Sequence, residues 1–124
     1  MIHEELCTYE VCKLAKEKGF PQDVFGTCEM KSSCYLEDGR YYKDGCIYPI
    51  ENAYSAPTQS LLQRWLREEK NIDIAIVPLY TGGYSYIVYN IHCRDNRVVN
   101  TNAGYDTYEL ALEDALAYSL KNLV

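Results

Sequence analysis

The sequence lacks most of what would tie it to nucleic acid or to a bilayer. Lys and Arg number 12 against 18 Asp and Glu, a formal net charge of -6, whereas a chain that grips phosphate backbones needs clustered positive charge. The shortage is spread along the chain: residues 1–54 carry 6 Lys+Arg against 10 Asp+Glu, and residues 55–124 carry 6 against 8. No apolar run approaches the roughly 18 residues that a membrane span needs. Met1-Ile2-His3-Glu4-Glu5-Leu6 is acidic and has no apolar core, so no secretory signal is expected and the cytoplasm is the expected compartment.

Catalytic signatures are missing as well. There is no GxGxxG, no phosphate-binding P-loop, no HExxH and no serine elbow, and Gly82-Gly83 alone reads as a turn. Histidine occurs twice. His92 stands beside Cys93, but neighbours in a strand point to opposite faces, so the two do not make a thiolate with its base. His3 lies near the N-terminus. No catalytic residue and no cofactor are expected, and the chain reads as a non-enzyme.

Cysteine is not scarce. The 6 cysteines are Cys7, Cys12, Cys28, Cys34, Cys46 and Cys93. Zinc ligands typically come in close pairs on tight turns, and the nearest cysteine spacings here, Cys7 to Cys12 and Cys28 to Cys34, do not make a pair of such pairs. Without an export signal the thiols are expected to be reduced, bound to no metal, and used as small apolar side chains.

The compositional anomaly is tyrosine: 13 residues against 2 Phe and 1 Trp. Tyrosine brings large contact area at low entropic cost with a hydrogen-bonding tip, which suits both the rim of a small core and an interface. Both readings stay open. Tyr80, Tyr84 and Tyr86 cluster around one expected hairpin, and Tyr35, Tyr41 and Tyr42 around an earlier one.

Along the chain, residues 8–18 read as a helix with Thr8 at its N-cap, Glu10 in the first turn, Lys16 and Lys18 in the last, and Gly19 as its left-handed stop. Residues 20–54 are the least legible. Asp38-Gly39 and Asp44-Gly45 are hairpin dipeptides, and a short hairpin of Ser33–Glu37 with Arg40–Lys43 is expected, an irregular Tyr-studded loop being the alternative. Ser55-Ala56-Pro57-Thr58 reads as a helix start, with Leu61, Leu62, Trp65 and Leu66 at helical spacing and an end near Asn71.

Ile72–Val77 alternates with period two, Thr81-Gly82-Gly83 turns the chain, and Tyr84–Cys93 makes a second strand. Ile87, Tyr89, Ile91 and Cys93 take one face of that strand, and Tyr84, Tyr86, Val88 and His92 the other. After a turn at Arg94-Asp95-Asn96, Arg97–Thr101 is a third strand. Asp106-Thr107-Tyr108-Glu109 has the form of a capping box before a helix whose Leu112, Leu116, Leu120 and Leu123 share a side.

The expected fold is therefore α+β: a single domain of residues 1–124 built on two layers. Residues 55–124 supply an α-β-β-β-α unit, a three-stranded antiparallel meander with helices on one face. Residues 1–54 add an N-terminal helix and a Tyr-rich hairpin or loop extension. The expected core comprises Trp65, Leu62, Leu66, Ile74, Ile76, Ile87, Ile91, Leu112, Leu116 and Leu120.

The element order resembles the double-stranded RNA-binding domain, which presents a basic start of its last helix to RNA. Here that helix opens with Asp106, Glu109, Glu113 and Asp114, and its one basic residue is Lys121. The order therefore does not carry the function. Ala56-Pro57-Thr58-Gln59-Ser60-Leu61-Leu62-Gln63-Arg64-Trp65-Leu66-Arg67-Glu68 resembles the APTQ-x-L-x-x-x-WLRE signature of a family of small proteins in phages and mobile elements of Bacteroidales. Lys16-Glu17-Lys18-Gly19-Phe20 is similar to that family's KEKGF. Tyr105-Asp106-Thr107-Tyr108-Glu109-Leu110-Ala111-Leu112 is similar to its YD-x-YE-x-AL. The resemblance spans nearly the whole chain and implies an origin in a bacterial host, with no activity or site residue attached.

The leading expectation is a small, phage-derived, non-catalytic binding module that engages a host or phage protein through a Tyr-rich acidic surface, with Tyr80, Tyr84, Tyr86, Tyr41 and Tyr42 as its candidate contacts. Self-association is compatible with it. The alternative is a nucleic-acid-associated regulator using Arg64, Arg67 and Lys70 on the outer face of the middle helix, where Glu68 and Glu69 also argue for a solvated, mixed-charge face.

Overall fold

The structure, a computed structural model, describes residues 5–25, 29–43, 45–47, 53–90, 97–100 and 104–124. Sequence expectations at His3, Cys28, Asp44, Tyr48, Ile91, His92, Cys93, the turn 94–96 and Thr101 lie outside the described residues. So do those on the side chain of Cys46. The chain is α+β and divides into two compact units, one of residues 6–58 and one of residues 59–124 with the first five residues.

In the first unit, α1 spans Tyr9–Glu17 and buries Val11, Cys12 and Ala15. Thr8 is its N-cap residue, and Gly19 follows in the left-handed region at φ 97°, a conformation that costs glycine nothing. Six short strands follow: β1 Val24–Phe25, β2 Glu29–Met30, β3 Cys34–Leu36, β4 Tyr41–Tyr42, β5 Cys46–Ile47 and β6 Ala53–Ser55. They form two antiparallel sheets, ordered β1-β2-β5 and β4-β3-β6. The Asp38-Gly39 hairpin forms as expected, with Cys34 opposite Tyr42 and Tyr35 opposite Tyr41. Asp38 secures the turn by accepting from the Arg40 amide at 3.0 Å and from its Nε at 2.7 Å. The amide bond leads the effects that hold this carboxyl below its ordinary pKa. Met30, Cys34, Leu36 and Ala53 make the buried cluster of this unit, with Val24 and Tyr42 against it.

The helix expected to open at Ser55 does not. Ser55 ends β6, where it lies opposite Cys34. Its amide donates to Gln22 Oε1 at 2.7 Å, and its hydroxyl accepts from the Asp23 amide at 2.7 Å. Ala56 N donates to the Ser33 carbonyl, and the Pro57 carbonyl accepts from Cys7 N, both at 2.9 Å. Long-range partners thus satisfy this backbone in extended form, and Pro57 further biases Ala56 away from helix. The helix α2 begins at Gln59 and ends at Glu69, and Asn71 follows at φ 59°.

The second unit has the expected α-β-β-β-α order. β7 spans Ile72–Pro78, β8 Tyr84–Asn90, β9 Arg97–Asn100, and α3 Tyr108–Asn122. The strands form an antiparallel meander ordered β7-β8-β9. α2 contacts β7 and α3, and α3 contacts both β7 and β8, so helices and sheet make two layers. Gln59, buried at the start of α2, donates to the Glu109 carbonyl at 2.9 Å and to Glu113 Oε2 at 2.7 Å. Gln63 donates to the Ile74 carbonyl at 3.0 Å.

Leu62, Leu66, Ile74, Leu112, Leu116 and Leu120 are buried as expected. Three assignments are corrected. Trp65 is half-buried, because the inward row of α2 is Leu62 and Leu66, one turn apart; the Trp65 ring lies beside that row, 5.4 Å below the Lys70 ammonium. Ile87 is half-buried, whereas Tyr86 and Val88 are buried. The register sets Ile74 opposite Val88 and Ile76 opposite Tyr86, so the even-numbered face of β8 joins the core. Ile76, near the turn, is half-buried, and Ile72 at the other end of β7 is buried. The N-cap of α3 is Thr107, whose Oγ1 accepts from Leu110 N at 3.1 Å, one residue later than the Asp106–Glu109 box.

Candidate functional site

The turn between β7 and β8 is closed by backbone bonds from Leu79 N to the Gly83 carbonyl at 2.9 Å and from Gly82 N to the Leu79 carbonyl at 3.0 Å. Both glycines have positive φ, 101° and 82°, which a side chain resists. Tyr80 stands at the tip of this turn, fully exposed. Just beyond it, Tyr84 and Tyr105 exchange both backbone bonds at 2.8 Å. A Cβ on Gly83 would lie 2.7 Å from the Tyr105 carbonyl oxygen, so this position admits no side chain. The turn is thereby held against the segment that leads into α3.

Around this end of the unit four more tyrosines gather. The Tyr84 ring meets Tyr108 edge-on with centroids 6.0 Å apart, and the Tyr86 ring lies 6.1 Å from Tyr105. The Tyr105 hydroxyl donates to Asp114 Oδ2. That hydrogen bond to a carboxylate, with burial added, raises the Tyr105 pKa far above the ordinary phenol value. Burial and the nearby Asp114 raise Tyr86 too. Tyr108 is 43% and Leu110 54% exposed, and Asp106, Glu109 and Asp114 are exposed beside them.

A second tyrosine group belongs to the other unit. Tyr9 meets Tyr35 and Tyr54 edge-on at 5.8 and 5.9 Å, and Tyr35 lies 5.2 Å from Tyr41. The Tyr9 hydroxyl donates to the Glu37 carbonyl at 2.6 Å, and Tyr35 to that of Cys7 at 3.4 Å. Lys16 donates to the Ala53 carbonyl at 2.8 Å with its ammonium 5.1 Å from the Tyr54 ring centroid. Burial raises the Tyr54 phenol, and Tyr9 and Glu37 nearby raise it further. These side chains are committed to binding their own unit together, and Tyr41 alone among them is strongly exposed.

The five tyrosines singled out in the sequence are therefore not equivalent. Tyr80 is exposed and Tyr84 half-buried beside Tyr108. Tyr86 is 5% exposed and serves the helix–sheet core rather than a contact surface. Tyr41 and Tyr42 belong to the other unit. As strand neighbours they point oppositely, and Tyr42 packs on the Met30–Leu36 cluster. Tyr105, Tyr108, Leu110 and Asp114 were missed. Leu110 carried a signal, since it is an apolar residue off the Leu112–Leu116–Leu120 stripe.

On α2, Arg64, Arg67 and Lys70 are exposed. Arg64 Nε pairs with Glu68 Oε2 at 3.1 Å, and Lys70 covers the Trp65 ring. Cys7, Cys12 and Cys34 are buried thiols. Among the described residues, no three His, Cys, Asp or Glu side chains are grouped to hold a metal ion, and no helix is long and apolar enough to cross a membrane. No protein family, curated protein or solved structure matches the chain.

Proposed function

We propose that the protein is a non-catalytic binding module that engages a protein partner through the end of its second unit where the β7–β8 turn meets the start of α3. The observation that carries this reading is the exposure of Tyr80 on the β7–β8 turn and of Tyr108 at the start of α3, whose ring meets that of Tyr84 just after the turn. They stand on a turn and a helix start joined by backbone pairing. Exposed aromatic rings of this kind are enriched at protein interfaces. Tyrosine has few rotatable bonds and so loses little entropy on contact. The motif resemblance supports an origin in a phage or mobile element, and the reading takes a host or phage protein in the cytoplasm as partner.

A photo-crosslinking residue placed at Tyr80, and separately at Tyr108, tests the reading in lysate of the source cell. A discrete protein adduct that survives nuclease is expected from both positions. It should be absent from Leu61, which is 51% exposed on α2 and serves as the control. No adduct at positions 80 and 108, or one that nuclease removes, overturns the reading.

A further inference from the structure

We infer that the partner segment received by this surface is basic and bears arginine; the inference rests on the interaction reading above. The turn residues 79–84 and residues 104–120 contain no Lys or Arg, while Asp106, Glu109, Glu113 and Asp114 all fall within them. Carboxylates near a helix N-terminus also suit the helix dipole, so the acidic residues alone would say nothing about a ligand. Their coincidence with exposed rings decides the chemistry.

Tyr80 is fully exposed and Tyr108 partly so, and such rings offer faces to a cation. Asp106, just before the N-cap, and Glu109, in the first turn of α3, stand either side of Tyr108 in the sequence, both exposed. A guanidinium can stack on a phenol ring while its planar fork pairs with a carboxylate alongside, a combination that lysine's ammonium does not provide. An acidic segment meets like charge at Asp106 and Glu109. A purely apolar one strands exposed carboxylates under its cover, at the cost of their desolvation. Charge complementarity thus selects a basic segment, and the rings select arginine within it.

The test uses the full-length protein and three labelled peptides of equal length, in which glycine alternates with arginine, with serine or with glutamate. Fluorescence anisotropy should show binding of the arginine peptide alone, weakening as salt rises. Asp106→Asn with Glu109→Gln should weaken it about five-fold or more, and Tyr80→Ala with Tyr108→Ala by a similar factor. Glu10→Gln with Glu17→Gln removes the same charge from exposed positions of α1 and should change affinity less than about two-fold. Equal losses in the α1 variant, or equal binding of the serine peptide, would overturn the inference. A crosslinked partner at Tyr80 together with no arginine-peptide binding would overturn the basic-partner inference and leave the interaction surface standing. Absence of both defeats the surface itself.

Discussion

The proposed interaction surface depends on the turn at residues 79–83 being clamped to Tyr105, and two glycine substitutions isolate that clamp. Gly82 and Gly83 adopt φ of 101° and 82°, so alanine at either is strained by about 1–2 kcal/mol from backbone conformation alone. They differ in surroundings. A Cβ on Gly82 meets nothing within 4 Å, whereas one on Gly83 falls 2.7 Å from the Tyr105 carbonyl oxygen. Carbon and oxygen must then separate by roughly 0.7 Å or more to reach ordinary contact. The atoms that must give are backbone, in the pair where Tyr84 and Tyr105 exchange two bonds of 2.8 Å. Weakening two bonds worth about 0.5–1.5 kcal/mol each adds about 1–3 kcal/mol. Gly83→Ala should therefore destabilise by about 2–5 kcal/mol and Gly82→Ala by about 1–2 kcal/mol, read as urea midpoints at constant m-value. Gly83→Ala should also reduce crosslinking from Tyr80, because the turn loses its support. Equal effects of the two substitutions, within about 0.5 kcal/mol, would refute the clamp.

Leu66→Ala should cost about 2–5 kcal/mol because Leu66 is fully buried, while Leu61→Ala on the exposed side of α2 should stay within about 0.5 kcal/mol in the same denaturation assay. Thr107→Ala should cost about 1 kcal/mol through loss of the Leu110 cap, with Asp106→Ala costing less; the reverse order would restore the box beginning at Asp106. Tyr54, Tyr86 and Tyr105 hold their protons above the ordinary phenol range. In a phenolate absorbance titration at 295 nm their ionisation should appear above the ordinary phenol range. The folded pKa values lie above the unfolded value of about 10, so their contribution is whole below pH ~10 and is lost as pH rises beyond it. The slope is at most ~1.4 kcal/mol per pH unit for each well-buried phenol and smaller for the half-buried Tyr105. A single titration step for all the tyrosines would contradict it.

Local patterns in the sequence determined the elements. Period-two alternation in Ile72–Val77, the Leu112–Leu116–Leu120 row, the Gly19 stop and the Asp38-Gly39 turn each act within a few residues, and each is realised. Tertiary structure decided what those patterns leave degenerate. In β8 both faces are apolar, Tyr86 and Val88 on one and Ile87 on the other, so alternation names two candidate faces and only the helices covering one of them choose. In α2, Leu61 and Leu62 and then Trp65 and Leu66 form two parallel rows, and packing on β7 and α3 selects the second of each pair. Ser55 and Pro57 look like a helix start until Gln22, Asp23, Ser33 and Cys7, all more than twenty residues away, supply partners for an extended backbone. The surface itself follows the same logic. Tyr80 is legible as an aromatic beside a glycine turn, but the joining of that turn to the segment leading into α3 arises because Tyr84 and Tyr105, distant in sequence, pair their backbones. Such non-local pairing is set by the energy of the whole unit, which no window of the sequence contains.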